Sequence, residues 1–536
     1  MIFCCKIENI RGGVKMKIFE GKIRNENYEL ILEKKEILNG IVIKGKIKGK
    51  PGKIKLFEVD VDGKLFVNNW QSWGPAKVIN LDEKLKIPEE FLKKAGFSPN
   101  PNPHLLLEGI VSDYFIAKEN ILVGFLSSKI GHPYFYIHER KIEGFIDYFD
   151  AEFEDFVEIE PLIILFGNID HLLLLYAKKV EEELKPNFNS WNPVGWSSWY
   201  YYFEKLTWND ILKNLEHSKK YPFEVFQIDD SWQKDIGDWE PKDTFPELHD
   251  MAEIIKSYGL KPGIWLAPFS VSETSTIFKI HEDWLVKDEN NNPLFAYENW
   301  NKKIYALDLT HPEVKEYIYK LFKKIKNEGF EYFKIDFLFA GAIPGKRFVR
   351  DKTPIQVYRE GLRLIREAVG KESFILGCGA PLLPSIGFVD GMRIGPDTAP
   401  YYDKNSPDIM MPNAYYALRN TITRYFMNER WWWNDPDCLL LRKIENKLTT
   451  NQKKMFSLTA GLLNNMIFIS DNLELDLEDY LLDATLKLRG GTYFVKNIMK
   501  KGYEIVSKNT GIGDVRYRIC LETEKAEFIM EKNKEN

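Results

Sequence analysis

A lysine and an aspartate stand two residues apart inside a short apolar run near the middle of the chain. The run extends from Glu331 to Phe337 and contains Lys334 and Asp336. Its crowded aromatic and β-branched residues are typical of a buried strand, on which residues two apart point to the same face. Because an ion pair inside an apolar strand is costly, this pair indicates either a reactive site or a charged strand end exposed to water.

Other apolar runs of the chain end in the same way, on acidic, aromatic, amide or sulfur-bearing residues. Carboxylates and lysine bind hydroxyl groups, tryptophan stacks on the apolar face of a sugar ring, and two carboxylates together can hydrolyse a glycoside. The pattern therefore indicates a neutral polyol as the ligand and glycoside hydrolysis as the chemistry. The candidates in chain order are Trp199, Asp229, Asp230, Trp265, Lys334, Asp336, Cys378, Arg393, Asp397, Asn434, Asp435 and Asp471.

Two other kinds of site fit these residues less well. The chain has eight histidines and none stands at these run ends, so a carboxylate-only Mg²⁺ site is the metal option that remains; we expect neither a metal nor a cofactor. No glycine-rich loop precedes a helix as a phosphate site would require. Asn434, Asp435 and Asp437 are better explained as an Asx turn, and Asp471 as a turn residue.

The run ends can meet only if the runs are parallel strands of one barrel. From Pro193 onward, short apolar runs alternate with amphipathic segments. Eight strands alternating with helices over about 280 residues predict a (β/α)₈ barrel, whose active site lies at the C-terminal ends of the strands. Residues 287–309 are expected to form an insertion after the third strand. The predicted strands are 194–200, 223–228, 261–269, 332–337, 374–377, 391–394, 431–434 and 465–469.

The regions on either side of the barrel are predicted to contain antiparallel strands. Short strand-like runs separated by Gly and Asn turns predict a β-sandwich over residues 16–175, followed by a linker helix within 176–192. The barrel is expected to occupy residues 193–472, and a small antiparallel β-sheet domain residues 473–536. Residues 1–15 precede a second methionine, Met16, and are set apart as an upstream extension.

One loop of the predicted sandwich carries two tryptophans among amides. Residues 67–75 are Val-Asn-Asn-Trp-Gln-Ser-Trp-Gly-Pro, and the Gly-Pro pair indicates a loop rather than a strand. Such a loop can cap the pocket of a neighbouring domain, or its first tryptophan, Trp70, can pack in the seam between the domains. The sequence favours neither explanation over the other.

Charge and composition exclude several classes of partner. The 536 residues include 74 basic and 79 acidic ones, for a formal net charge of −5, and no segment is strongly basic, so nucleic acid is not an expected partner. No apolar run approaches the roughly 18 residues of a membrane helix, and the N-terminus has no signal-peptide pattern. The cysteines show no disulfide or metal-binding pattern. We expect a cytoplasmic monomer or small homo-oligomer; the Lys, Glu and Ile bias is typical of thermophiles, although an AT-rich genome produces it too.

Six motifs in a fixed order carry a resemblance to a known family. They cover nearly the whole chain, and together they resemble glycoside hydrolase family 36, the α-galactosidases or melibiases, above all the compact bacterial and archaeal members. The motifs are Asn68-Asn-Trp-Gln-Ser-Trp, Gly195-Trp-Ser-Ser-Trp-Tyr, Gln227-Ile-Asp-Asp, Lys334-Ile-Asp336, Leu376-Gly-Cys-Gly and Arg393-Ile-Gly-Pro-Asp397.

The resemblance implies hydrolysis of terminal non-reducing α-D-galactosides, such as melibiose and raffinose-type oligosaccharides, with retention of configuration. It implies that Asp336 is the nucleophile and Asp397 the acid/base, with carboxyl groups roughly 5–5.5 Å apart. Carboxylates after the second strand would bind the 4- and 6-hydroxyls, Lys334 the 3- and 4-hydroxyls, and Arg393 the region of the 2-hydroxyl. The substrate-binding residues that it implies are Trp70, Trp199, Asp229, Asp230, Trp265, Lys334, Cys378 and Arg393.

The two implied catalytic carboxyls need opposite proton affinities. Lys334 favours the charged form of Asp336, as a nucleophile requires. Asp397 needs a raised pKa so that it holds its proton until attack, and Arg393, four residues away, would oppose this. Arg393 is explained equally well as a tether for a carboxylate.

Three alternatives to this function stay open. An α-galactosyl transferase of the raffinose-synthase kind would use the same fold and mechanism. An α-N-acetylgalactosaminidase is disfavoured because Cys378 leaves less room near O2 than Gly or Ala would. A sugar-binding protein without catalysis is disfavoured because both candidate carboxylates, Asp336 and Asp397, are present.

Overall fold

The N-terminal part of the chain folds into two facing antiparallel sheets. The computed structural model describes residues 5–10, 14–81, 110–406 and 411–531, with side chains from Met16 onward. The strands are β1 (Cys5–Ile10), β2 (Val14–Phe19), β3 (Gly21–Arg24), β4 (Tyr28–Ile37), β5 (Gly40–Gly49), β6 (Lys53–Asp60), β7 (Lys64–Val67), β8 (Lys77–Asn80), β9 (Ile110–Asp113), β10 (Phe115–Lys118), β11 (Ile121–Phe125), β12 (His132–His138), β13 (Lys141–Asp147), β14 (Phe153–Glu158) and β15 (Leu162–Phe166). One sheet has the order β1-β2-β6-β13-β12-β9, and the other β3-β4-β5-β15-β11-β10-β7-β8, with β14 paired to β5.

The second of these sheets is buried on both faces, which explains why β15 is a continuous apolar run. Leu162 and Ile164 point into the core between the two sheets. Ile163 and Leu165, on the opposite face, pack in the large core that continues into the barrel. A strand covered on both faces loses the alternation of apolar and polar residues that marks a half-exposed strand.

A single helix leads from the sandwich to the barrel. It spans Ile169–Leu184, and Asn168 caps its start by accepting a hydrogen bond from the backbone N–H of Asp170 at 3.0 Å. The helix ends at Lys185, which adopts a left-handed conformation. Its buried side chains, among them Leu172 and Tyr176, attach the sandwich sheet to the barrel.

Eight short parallel strands form the barrel. They pair in chain order, and a hydrogen bond of 2.9 Å from the Met466 N–H to the Asn434 carbonyl joins the seventh strand to the eighth. Every residue of most of these strands is buried, because helices cover the outside and side chains fill the inside. The barrel region contains β16 (Val194–Ser197), β17 (Val225–Ile228), β18 (Lys261–Leu266), β19 (Ser270–Ser272), β20 (Phe295–Asn299), β21 (Lys302–Ala306), β22 (Tyr332–Ile335), β23 (Phe374–Gly377), β24 (Gly391–Arg393), β25 (Trp433–Asp435) and β26 (Ile467–Ile469).

The barrel helices are amphipathic and have clear local start and stop signals. Thr353 begins the helix Pro354–Val369 with a capping box shared with Gln356, and Gly370, at a φ of +78°, ends it. Capping boxes and terminal glycines involve residues close together in the chain, so they can be recognised in the sequence. The longer helices are Trp208–Ser218, Leu248–Ser257, Pro312–Asn327, Pro354–Val369, Ala414–Thr423, Thr450–Leu462 and Asp479–Leu488; the shorter ones are Trp199–Tyr202, Thr276–Ile280 and Leu382–Ser385.

Two additions complete the fold. β19, β21 and β20 form a three-stranded sheet after the third barrel strand, so the inserted structure begins before the predicted residue 287. The C-terminal sheet consists of β27 (Thr492–Lys496), β28 (Tyr503–Thr510), β29 (Gly513–Cys520) and β30 (Lys525–Glu531). The predicted barrel with a sandwich before it and a small antiparallel sheet after it is confirmed. Among the described residues, every helix is too short or too polar to cross a bilayer.

Candidate active site

A cavity of about 670 Å³ opens at the C-terminal ends of the barrel strands. Its walls come from the loops after several strands, from the three-stranded insertion and from the sandwich loop. Because the strands are parallel, residues far apart in the chain meet at this one end. The sequence-predicted residues that line the cavity are Trp199, Asp229, Asp230, Trp265, Lys334, Asp336 and Asp397.

Asp336 follows β22 directly and is held by two N–H donors. Trp265 donates its indole N–H to Oδ2 at 3.0 Å, and the backbone N–H of Phe337 donates to Oδ1 at 2.8 Å. Phe337 has a φ of +51°, a region that L residues rarely occupy outside constrained sites. Its ring lies 5.0 Å from Trp73 and 4.9 Å from Tyr297, and this packing stabilises the turn that orients the carboxylate.

Lys334 forms a buried ion pair across two strands. Its Nζ donates to Asp229 Oδ2 at 2.8 Å, and Gln227 and Ser197 also donate to this oxygen. Burial opposes the charge of the ammonium, but the neighbouring carboxylates, Asp229 first, outweigh it and raise the pKa of Lys334. Lys334 is therefore a fixed positive charge whose ion-pair partner is Asp229 on another strand. Lys334 and Asp336 both line the cavity and do not form a solvent-exposed strand end.

Asp230 lies beside Asp229 in the wall of the cavity. Its side chain accepts hydrogen bonds of 2.6 Å from Gln233 Nε2 and from the indole N–H of Trp300. Burial raises the pKa of Asp230 to about 6, against the opposing effect of these donors. The adjacent Ser231 has a φ of +96°, so the backbone turns sharply where the pair of carboxylates enters the cavity.

Arg393, at the end of β24, contacts three carboxylates. Its guanidinium reaches Asp397 Oδ1 at 3.0 Å, Asp435 Oδ2 at 3.1 Å and Asp437 Oδ1 at 2.7 Å. It is 2% exposed and is not among the residues that line the cavity, and its three ion pairs agree with the tether explanation. Its predicted contact with a sugar hydroxyl stays a prediction.

Asp437 is more than the turn residue that the sequence suggested. The backbone N–H of Asp437 does donate to Asp435 Oδ1 at 2.9 Å, as in an Asx turn. However, Asp437 also binds Arg393 and accepts a hydrogen bond from the Tyr200 hydroxyl. Burial raises the pKa of Asp437 to about 6, although Arg393 opposes this. Asp471 has a structural role, since it is fully buried against Arg442 at 2.6 Å.

Asp397 combines a polar partner with access to the cavity. Its side chain is 33% exposed, and Arg393 holds one of its oxygens. Burial raises the pKa of the Asp397 carboxyl, while the charges of Arg393 and Lys334 oppose the rise and those of Asp336 and Asp229 support it. The direction is the one that a general acid needs.

Trp73, and not Trp70, brings the sandwich to the cavity. Trp70 is 3% exposed, packs edge to face on His132 and is not among the residues that line the cavity, which favours the seam explanation; its predicted contact with the sugar stays a prediction. Trp73 lines the cavity and donates its indole N–H to the sulfur of Cys378 at 3.3 Å. Cys378 is fully buried and is not among the residues that line the cavity, and its predicted contact with the sugar stays a prediction. The loop turns between the two tryptophans, and the sequence does not show which ring points inward.

Several residues that line the cavity could not be predicted from the sequence, because they do not stand at the ends of barrel strands. Trp300 comes from the insertion between β20 and β21, where nothing in the pattern distinguishes it from a surface tryptophan. Phe203, Tyr401 and Met411 form the outer wall, and each is more than a third exposed. The one signal that could have identified them is the exposure of apolar residues on loops around a cavity. This exposure can be recognised only when the fold is known. In the described part of the chain, no group of three or more His, Cys, Asp or Glu side chains is arranged to hold a metal ion.

Comparison with protein families gives two matches on consecutive parts of the chain. The model for the N-terminal domain of α-galactosidases matches residues 33–166, and the melibiase model matches residues 171–344. Together they match more than half of the chain. The α-galactosidase Mel36A of Lactobacillus acidophilus is 30% identical over 173 residues, which are 30% of this chain and 22% of that protein. An Escherichia coli α-galactosidase is 29% identical over 153 residues, 26% of this chain and 20% of the relative. These matches span about a fifth of the length of the curated relatives.

Solved structures match over much more of the chain. TtGalA, an α-galactosidase from Thermus thermophilus determined in complex with stachyose, is 26% identical with a TM-score of 0.70, and the match covers 90% of this chain and 98% of that one. AgaA from Geobacillus stearothermophilus is 12% identical with a TM-score of 0.61, and the match covers 100% of this chain and 82% of that one. At that identity the second match supports the fold alone.

Proposed function

Because the chain belongs to glycoside hydrolase family 36, we propose that it hydrolyses terminal α-D-galactosides with retention of configuration. The observation that carries the proposal is the presence of Asp336 and Asp397 in the wall of one cavity, each held by different partners. TtGalA, with which the structure aligns over most of its length, has been determined with a tetrasaccharide and with a nitrophenyl α-galactoside. We propose the same substrate class here.

Asp336 is proposed to attack the anomeric carbon. The indole N–H of Trp265 and the backbone N–H of Phe337 hold its two oxygens in one orientation, so little ordering is needed before attack. Bond formation between Asp336 and the sugar gives a β-linked glycosyl-enzyme as the α-linked leaving group departs.

Asp397 is proposed to give its proton to the departing oxygen and then to take one from water. Its raised pKa keeps the proton in place until it is needed. Asp435 and Asp437 share the charge of Arg393, and this sharing limits how far the guanidinium can lower the pKa of Asp397. In the second step, water attacks from the face that the leaving group vacated, which restores the α configuration.

The remaining lining residues are proposed to bind the sugar. Asp229, Asp230 and Lys334 present a dense set of hydrogen-bonding groups to its hydroxyls, while Trp199, Trp265 and Trp73 offer apolar ring faces. We propose an oligosaccharide as the substrate, since the cavity of about 670 Å³ exceeds the volume of one hexose. We further propose a cytoplasmic monomer or small homo-oligomer, which the free Cys378, Cys438 and Cys520 support for a reducing compartment.

A panel of nitrophenyl glycosides tests this function. We expect release of nitrophenol from the α-galactoside, with α-galactose as the first product seen by NMR. The panel should include an α-xyloside, because an α-xylosidase of Lactiplantibacillus pentosus is 27% identical over 135 residues, and an α-N-acetylgalactosaminide. β-Galactose as the first product, or no cleavage of α-galactosides, would overturn the proposal; net transfer from raffinose to an acceptor would replace hydrolysis by the transferase alternative.

A further inference from the structure

A buried arginine outside the cavity joins the sandwich loop to the turn after the sixth barrel strand. Arg424 follows the helix Ala414–Thr423 and is 0% exposed. Its Nε donates to Asn68 Oδ1 at 3.1 Å. One terminal nitrogen donates both to the Ser72 carbonyl at 2.6 Å and to the Ile394 carbonyl at 2.8 Å. One planar guanidinium therefore binds two segments that are more than 300 residues apart in the chain.

The burial of this charge is unfavourable by itself. Burial, together with the neighbouring charge of Arg419, lowers the pKa of Arg424 to about 9. In the described part of the chain, the hydrogen-bond partners of its guanidinium are all neutral oxygens. Hydrophobic contacts do not need a guanidinium, so the arrangement points to the directed hydrogen bonds as the reason for the charge.

Both segments that Arg424 binds carry residues of the cavity. Ser72 directly precedes Trp73, which lines the cavity beside Phe337. Ile394 lies three residues before Asp397. One side chain that does not line the cavity thus contacts both the segment of the aromatic wall and the turn of the proposed acid/base.

The same helix holds the rest of the sandwich loop. Asn420 donates to the Gly74 carbonyl at 2.9 Å and accepts from the Ala76 N–H at 3.2 Å. Thr423 donates to the Ala76 carbonyl at 2.9 Å. These contacts attach the loop to the helix, and the N–H of Asn413, which caps the start of the same helix, donates to the Asp397 carbonyl at 2.8 Å. Among the side-chain hydrogen bonds that the structure describes for Asn420, Thr423 and Arg424, those of Arg424 are the ones that reach the turn carrying Asp397.

We propose that Arg424 is a positioning residue that fixes Trp73 relative to Asp397, an inference that rests on the proposed function for its catalytic consequence. Loss of the guanidinium should loosen the loop and the turn together. Small misplacements of this kind cost up to about 100-fold in rate, and we expect kcat/KM of Arg424→Met to fall by about 10- to 100-fold. Both constants should contribute, with kcat lowered through Asp397 and KM raised through Trp73.

The test compares Arg424→Met with Arg430→Met. Arg430 lies six residues later and pairs with Glu181 at 3.2 Å, away from the loop. Hydrogen exchange of the backbone amides of residues 68–76, followed by mass spectrometry, needs no substrate. We expect faster exchange in Arg424→Met and unchanged exchange in Arg430→Met. Unchanged exchange in both would overturn the proposal, whatever the activity.

A double-mutant cycle then tests the link to catalysis. If Arg424 acts through Trp73, the loss in Trp73→Ala/Arg424→Met should be smaller than the product of the two single losses. If the loss in the double variant equals the product of the two single losses, Arg424 does not act through Trp73 and has a merely structural role. Arg424→Lys should restore little, because an ammonium cannot donate in three fixed directions. If Arg424→Met does not fold, Asn68→Ala, which removes the acceptor of its Nε, is used in the same cycle. Inactive wild type with faster exchange in Arg424→Met would reject the proposed function and keep the positioning role.

Discussion

The two buried cations of the cavity region, Lys334 and Arg393, differ in the number of acids that they serve. Lys334 has one close carboxylate partner in the described structure, Asp229 at 2.8 Å. Arg393 is shared by Asp397, Asp435 and Asp437, all within 3.1 Å. One positive charge among three carboxyl groups cannot stabilise the anionic form of all of them equally, so protonation is favoured on this side.

This difference in the number of carboxylate partners supports the proposed roles of Asp336 as the nucleophile and Asp397 as the acid. The pKa values of Asp397 and Asp437 are both raised, and both residues contact Arg393. Asp336, two residues from Lys334, has N–H donors on both oxygens. The cavity thus separates Asp336, which is proposed to attack the sugar, from Asp397, which is proposed to transfer a proton.

The largest loss of activity is expected from replacing Asp336, which stands two residues from Lys334. Asp336→Gly should lower hydrolysis of natural α-galactosides by at least about 10⁴-fold, because it removes the nucleophile. Azide should restore part of the activity on an activated donor and give the β-galactosyl azide, identified by NMR, since it enters from the vacated nucleophile side. Turnover close to that of the wild type would contradict the assignment of Asp336.

On the Arg393 side, loss of the acid should depend on the leaving group. Asp397→Ala should lower kcat/KM on melibiose by roughly 10²–10⁴-fold, the usual contribution of a general acid. On a nitrophenyl α-galactoside, kcat/KM should fall much less, because nitrophenolate departs without a proton.

The anomer of the azide product provides a second test of Asp397→Ala and distinguishes this variant from Asp336→Gly. Azide should attack the glycosyl-enzyme from the acid side and give the α-galactosyl azide, the opposite anomer to that from Asp336→Gly. A burst of nitrophenol should accompany it. Equal losses on both substrates without a burst would exclude Asp397 and leave Asp229 or Asp230 as the next candidate.

The two loop tryptophans should separate binding from stability. Trp73→Ala should raise KM by about 5- to 10-fold, roughly 1 kcal/mol of aromatic contact, with little change in Tm. Trp70→Ala should instead lower the free energy of unfolding by about 3–5 kcal/mol, since it empties a buried site. Steady-state kinetics and thermal unfolding of both variants measure this. A raised KM in Trp70→Ala without loss of stability would reverse the assignment.

The smallest effect should come from changing the number of acids around Arg393. Asp437→Asn leaves the charge of Arg393 less balanced, and this should lower the pKa of Asp397. Because Asp397 must be protonated to act, the alkaline limb of the kcat/KM profile should move to lower pH, with a loss at pH 7 below about tenfold.

Asp471→Asn is the matched control for this shift. Asp471 is a buried aspartate paired to Arg442 instead of Arg393, so its replacement should reduce Tm and leave the profile in place. An alkaline limb that does not move in Asp437→Asn would show that the shared guanidinium does not set the pKa of Asp397.

The positions of the barrel strands could be predicted because each is a local pattern. Seven of the eight predicted runs contain the strand that forms, and the run 431–434 overlaps its strand, Trp433–Asp435; the helix limits follow from caps such as Thr353 and Gly370. The residues at the strand ends followed from the rule that parallel strands present their C-terminal ends together. Lys334 and Asp229 could be placed in one site from this rule alone.

The side-chain directions of Arg393 and of the two loop tryptophans could not be predicted. Arg393 has several low-energy rotamers, and the positions of Asp397, Asp435 and Asp437 decide which of them it adopts. Likewise, the choice between Trp70 and Trp73 depends on contacts with His132 and Cys378, which lie more than 60 and 300 residues away in the chain.

The sequence by itself determined the barrel, its flanking antiparallel sheets and the set of carboxylates at the strand ends, because periodicity, caps and turn residues act over a few residues. Only the tertiary structure decided which of those residues face the cavity and how many acids share each cation. Side-chain direction and charge balance depend on distances between segments that are remote in the chain, and a buried charge finds its partners only when those segments have packed.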